Sequence, residues 1–121
     1  MNNDNPHIIS AAYLYKEIEA IYQLANNTAE SLRAKNRKRE VVLYRQAFCY
    51  LAKKNHSTFF RVERCSFTAL AGLLNQNHAT IIHAVKKATM LLWAKDKVFN
   101  EVLHSIIIIL NNRHDIHYRE F

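Results

Sequence analysis

Across 121 residues this chain has a single glycine, Gly72, and a single proline, Pro6. A sheet protein of that length needs many tight turns, and glycine and proline are the residues that fill their special backbone positions. Two such residues cannot supply them, so the chain is confined to helices joined by polar turns. The same scarcity excludes a class of function. A phosphate-cradling loop or a dinucleotide fingerprint needs several glycines at fixed spacing, and none can be assembled around Gly72. No nucleotide and no other cofactor is expected.

Apolar spacing then places the helices. Leu14, Ile18, Ile21, Ala25 and Leu32 recur near helical spacing, which predicts a helix capped near Ser10 and reaching about Ala34, with Asn26-Asn27-Thr28 able to kink or split it. A second helix is expected over Glu40 to Lys54, with Val41, Tyr44, Phe48, Leu51 and Ala52 on one face. Residues 55–65 have no clear period and read equally as a loop, a short helix or a hairpin wing. Within them, Phe59 and Phe60 beside Arg61 and Arg64 suit either a DNA-contacting wing or the core, and packing of at least one Phe is the expectation. Ser66 is placed to cap a short helix, Phe67 to Leu74, whose Leu70, Leu73 and Leu74 face inward. Asn75-Gln76-Asn77 then turns the chain into a helix from His78 to Trp93, with Ile81, Val85, Ala88 and Leu92 as its core stripe. A last helix is expected from Lys97 to Asn111, although the β-branched run Ile106 to Ile109 suits a buried strand by propensity. Residues 113–121 read as a polar, frayed tail.

Charge narrows the partner. Seventeen Lys and Arg against ten Asp and Glu give a net charge of +7, which favours polyanions, nucleic acid first among them. Arg33, Lys35, Arg37, Lys38 and Arg39 cluster just before the second helix, where positive charge opposes the helix dipole; the cluster is thus retained for a partner, or is a solvated charge run. Cys49 and Cys65 are too far apart for a metal knuckle and read as free thiols of a cytoplasmic protein. The polar start, Met1 to Pro6, does not read as a signal peptide, and the longest apolar run, Ile106 to Leu110, is too short to span a membrane. His78 and His83, five apart, make a poor metal pair, and His114 and His117 lack further ligands. No nucleophile stands beside a plausible base, so an enzyme is not expected.

A short helix, a tight turn and a second helix form a helix-turn-helix, whose second helix lies in the major groove with its N-terminal residues at base edges. Asn77 and His78 can exchange hydrogen bonds with bases, the Ala79 or Thr80 methyl can meet a thymine methyl, and Thr80 and His83 can reach phosphates. Lys86 and Lys87 suit phosphate contacts or a solvated face.

The order of residues goes further. Asn77-His78-Ala79-Thr80-Ile81-Ile82-His83-Ala84 resembles the signature Asp-His-(Thr/Ser)-Thr-Val-(Leu/Ile)-His-Ala of the C-terminal DNA-binding domain of the bacterial replication initiator DnaA. Upstream, Arg37-Lys38-Arg39, Tyr44-Arg45-Gln46 and Leu51-Ala52-Lys53 look like that family's basic loop and its Pro-Arg-Gln helix. The resemblance implies a small all-helical, Trp repressor-like fold. It places Asn77, His78 and Ala79 at base-reading positions, Thr80 and His83 near phosphates, Arg37 in the minor groove, and Arg45 and Gln46 on the DNA at the start of the preceding helix. The departures are Asn77 for Asp, Ala79 for Thr, Gln76 for a basic residue and Tyr44 for Pro, and the segment before Ser66 is longer by roughly seven residues. The family's target sequence is therefore not carried over, nor is ATP-dependent origin melting, since the resemblance does not include an ATPase portion.

The expected protein is all-α, with a helical extension over residues 1–34, a DnaA-type helix-turn-helix domain over 35–112 and a tail over 113–121. Its expected partner is double-stranded DNA, bound through Arg37, Lys38, Arg39, Arg45, Gln46, Gln76, Asn77, His78, Ala79, Thr80, His83, Lys86 and Lys87, in a replication or transcription accessory role. The flanking helices either pad the core or form a homodimer. The competing reading is a helical protein-interaction module of a mobile element or phage that has lost DNA binding. Convergence of Arg37, Arg45, Lys86 and His78 on one surface would favour DNA.

Overall fold

A chain with one glycine must still reverse direction, and this one does so on asparagine and lysine. In the computed structural model, which describes residues 7–54 and 60–119 apart from the side chains of His7 and 113–119, left-handed backbone occurs at Asn27 (φ 50°), Asn75 (φ 55°) and Lys95 (φ 56°). Asn27 and Asn75 are helix C-caps, each returning its N–H to carbonyls of the last turn. Asparagine tolerates this region because its short polar side chain bonds locally. Gly72, by contrast, lies inside a helix with open space where a Cβ would point. Gly72→Ala is therefore expected to raise stability by about 1 kcal/mol, read as a higher urea midpoint at unchanged slope. A lower midpoint would mean that the site needs glycine for a reason other than space.

The described elements are β1 (His7–Ile9), α1 (Ala11–Asn26), α2 (Arg39–Lys54), β2 (Phe60–Val62), α3 (Phe67–Leu74), α4 (His78–Trp93) and α5 (Lys97–Arg119). Ser10, Ser66 and Asn77 cap α1, α3 and α4 by accepting the backbone N–H three residues on, at 3.0, 3.0 and 2.8 Å. α3 and α4 have the bounds that the sequence gives them.

α2 is the central element. Besides the expected Val41, Tyr44, Phe48, Leu51 and Ala52, it buries Ala47, Cys49 and Tyr50, because α1, α4, α5 and β2 all pack on it. The stripes of α1 (Leu14, Ile18, Ile21) and α5 (Phe99, Leu103, Ile106, Leu110) join the same core, so the flanking helices pad the domain. The run Ile106 to Ile109 is helical.

Three expectations need correction. The first helix ends at Asn26, not near Ala34. The asparagine pair stops it, leaving Ala25 exposed and returning Leu32 to the core from an irregular segment. Within residues 55–65, the described part is neither a helix nor a hairpin wing: β2 pairs in parallel with β1, Phe60 opposite His7 and Val62 opposite Ile9. Phe60 and Val62 are buried while Arg61 and Arg64 are exposed; Phe59 lies outside the described residues. Finally, helix continues through Asn111 and Asn112 to Arg119, since no glycine or proline follows Leu110 to end it.

Candidate nucleic-acid interface

Between α1 and α2, residues 27–38 carry the basic cluster with no regular secondary structure, so their backbone polar groups need partners from elsewhere. Two side chains provide many of them. Glu19 on α1 accepts from the Ser31 hydroxyl at 2.7 Å, the Leu32 N–H at 2.9 Å and the Tyr15 hydroxyl at 2.6 Å. Arg45 on α2 donates to the carbonyls of Leu32 at 2.7 Å and Asn36 at 2.9 Å, and to that of Ala34. Leu32, held at both its N–H and its carbonyl, is fully buried.

The electrostatics follow from this packing. Burial pushes the Glu19 carboxyl up, but hydrogen bonds from Tyr15, Ser31 and Leu32, with the Arg33 charge, outweigh it and hold the carboxyl below its usual value. Tyr15 is pushed up to about 12 by burial and by its bond to Glu19. Burial draws Arg45 down despite the nearby Glu30.

The rest of the loop is tied with equal care. Glu30 accepts from the Asn36 side chain at 2.5 Å and the Tyr22 hydroxyl at 3.2 Å, and Asn36 in turn accepts the Lys38 N–H at 3.1 Å. Lys35 reaches across 40 positions to the carbonyl of Asn75 in the helix-turn-helix turn, at 2.5 Å. Arg37, Lys38 and Arg39 are left exposed, Arg37 at the rim of the groove that this loop forms with α4.

Opposite the rim stands the face of α4. The loop, the start of α2 and this face enclose a groove of about 780 Å³, whose walls include Arg37, Gln46, Gln76, Thr80, His83, Lys86 and Lys87. Its lining contains no Asp or Glu, and the apolar members of that lining are Val42, Ala84 and Met90. Arg37, Arg45 and Lys86 thus converge on one surface; His78 lies at the head of the same helix, exposed, with its ring edge-on to Phe67 at 5.9 Å.

The residues expected to meet DNA at the start of α4 divide into two groups. His78 and Ala79 are exposed at the first turn of α4. Asn77 and Thr80 are also exposed but bonded to each other: Asn77 Oδ1 accepts both the Thr80 N–H at 2.8 Å and the Thr80 hydroxyl at 2.9 Å. The acceptor of Asn77 is thereby committed to capping. Tyr44, standing where the resemblance has proline, is buried edge-on to Tyr22 at 5.3 Å.

The match to known families covers this region. The family model described as the bacterial DnaA protein helix-turn-helix matches residues 16–88, from α1 to the middle of α4. The chain belongs to that DnaA family. Searches of curated proteins and of solved structures find no match. The DnaA helix-turn-helix is a DNA-binding domain, not a catalytic one, and the mostly helical fold agrees with it. The match starts at Lys16, inside α1. Among the described residues no helix is long and apolar enough to cross a membrane, and no three His, Cys, Asp or Glu are grouped to hold a metal. His114 and His117 lie outside the described side chains. Cys49 is buried, which pushes its thiol up to about 12 and away from thiolate chemistry at neutral pH.

Sequence reasoning missed the residues that build the loop. Glu19, Tyr15, Ser31 and Glu30 gave no signal, because each acts through partners 4 to 16 positions away that no periodicity connects. In the sequence Lys35 reads only as charge; its bond to Asn75 is a long-range contact.

Proposed function

We propose that this protein binds double-stranded DNA with the first turn of α4 in the major groove and the Arg37–Arg39 loop in the adjacent minor groove. The observation that carries this reading is the acid-free groove between the two, walled by Arg37, His83, Lys86 and Lys87. A phosphate strand passing between a major-groove helix and a minor-groove loop would meet those cations, and the N-terminal dipole of α4 adds to their attraction. Selectivity then falls to Gln76, the Asn77 amide, His78 and Ala79, with Thr80 and Gln46 beside the strand. The convergence of charge favours this reading over an interaction module without DNA.

Its role would be that of a small cytoplasmic accessory or regulator of replication or transcription. A homodimer on two half-sites would have to pair through the outer faces of α1 and α5, because their apolar stripes are spent in the core.

His78 is the sharpest test, being exposed, with its ring edge-on to Phe67. Titration of random duplex and of duplex enriched by unbiased selection should show His78→Ala losing about 5- to 100-fold in preference for the selected sequence, with random-sequence affinity nearly unchanged. Equal losses on both duplexes would remove His78 from the reading face.

A further inference from the structure

We infer that Arg45 is a positioning residue that acts on DNA through Arg37, Lys38 and Arg39 rather than by contact of its own. The inference rests on the DNA-binding reading above. It departs from what the family resemblance implies for this position.

Arg45 has spent three of its five N–H groups on the carbonyls of alternate residues Leu32, Ala34 and Asn36. All three acceptors belong to the strand of loop that leads into Arg37. A planar guanidinium bonding three carbonyls of one irregular segment fixes that segment's path in a way that a flexible chain of like sequence could not hold. Without Arg45 those carbonyls would turn to water, and the loop would have to be ordered by the DNA. The entropy of ordering it would then be subtracted from affinity at the moment of binding.

The other attachments act in the same direction. Glu19 holds the start of the segment and Glu30 its end through Asn36, while Lys35 ties it to the turn that launches α4. The distance between the minor-groove loop and the major-groove helix is therefore set by the protein before DNA arrives. Arg45 is the centre of this arrangement because, among the described side chains, it alone bonds three of the loop's carbonyls.

A direct contact and a positioning role predict different couplings. A phosphate contact by Arg45 would be independent of Arg37 and additive with its loss, whereas a residue acting through the loop has nothing to act on once the loop's charges are gone. The experiment is a cycle of duplex titrations. Arg45→Ala should weaken binding severalfold in the unsubstituted chain, but by less than about twofold in a chain already carrying R37A, K38A and R39A. Arg45→Lys keeps the charge and a good phosphate ligand but not the planar fork, so it should bind DNA nearly as weakly as Arg45→Ala. Hydrogen exchange without DNA supplies a readout that a phosphate contact would not move: amides of residues 31–38 should exchange at least about tenfold faster in Arg45→Lys, with α4 unchanged.

Equal losses from Arg45→Ala in both backgrounds, or full affinity in Arg45→Lys, would overturn the inference. So would unchanged exchange over 31–38. Should Arg45→Ala fail to fold, Arg45→Lys carries the same comparison in both backgrounds. Should the unsubstituted chain bind no duplex, the DNA reading fails by itself, and the exchange experiment still decides whether Arg45 holds the loop.

Discussion

Replacing Arg37, Lys38 and Arg39 together by alanine is expected to lower duplex affinity by about 100-fold near 0.15 M salt and to flatten the dependence of log K on log salt by roughly 3. All three side chains are exposed, and Arg37 lines the groove. Each cation that meets the DNA releases close to one counterion, so removing three takes about that much from the slope, and the loss shrinks as salt rises. The fold should be unaffected, because the loop is anchored by Leu32, Glu19 and Arg45 rather than by its exposed charges. Loss on random and selected duplexes should be nearly equal, in contrast to His78→Ala. Fluorescence anisotropy at four salt concentrations measures both quantities. An unchanged slope would show that the cluster is a solvated charge run and that α4 binds, if at all, without it.

The contrast between this loop and the helices shows what the sequence could and could not disclose. α3 and α4 were legible to the residue because their starts are written locally: Ser66 and Asn77 stand just before apolar stripes, and Asn75 stands where a left-handed cap is needed. α2 was legible as a helix, but not as the centre of the fold. A stripe marks one buried face, whereas burial of Cys49 and Tyr50 as well depends on several elements packing on α2 from elsewhere in the chain. The parallel pairing of β1 with β2 joins two three-residue segments more than fifty positions apart, too short for any alternation to register. Leu32 continues the spacing of Leu14, Ile18 and Ile21, and that spacing predicts helix to about Ala34; its burial is real, but it comes from the Glu19 and Arg45 anchors at its own N–H and carbonyl. The candidate DNA face divides in the same way. His78, Ala79 and the lysine pair could be read from their places on α4. That Arg45 faces the loop, and that Asn77 and Thr80 satisfy each other, are facts of side-chain geometry.

Phe48→Ala should cost about 3–5 kcal/mol, enough to unfold a marginal variant of a domain whose whole stability is of order 5–15 kcal/mol. Phe48 is fully buried at the middle of α2, and its ring meets Tyr15 edge-on at 5.8 Å. Truncation therefore removes the transfer free energy of the ring, leaves a cavity among helices that cannot all close on it, and loses an aromatic contact worth about 0.5–1.5 kcal/mol. Tyr15 also donates to Glu19, so the cavity adjoins the anchor of the basic loop. Phe67→Ala provides the control. That ring is only half-buried, touching Lys53 at 4.4 Å and the edge of His78, and its removal should cost no more than about 1–2 kcal/mol. Urea unfolding at constant slope separates the two. If Phe48→Ala lost less than Phe67→Ala, α2 would not be the element around which the others pack. The expected order, by contrast, ties the stability of the central helix to the loop that it holds through Arg45.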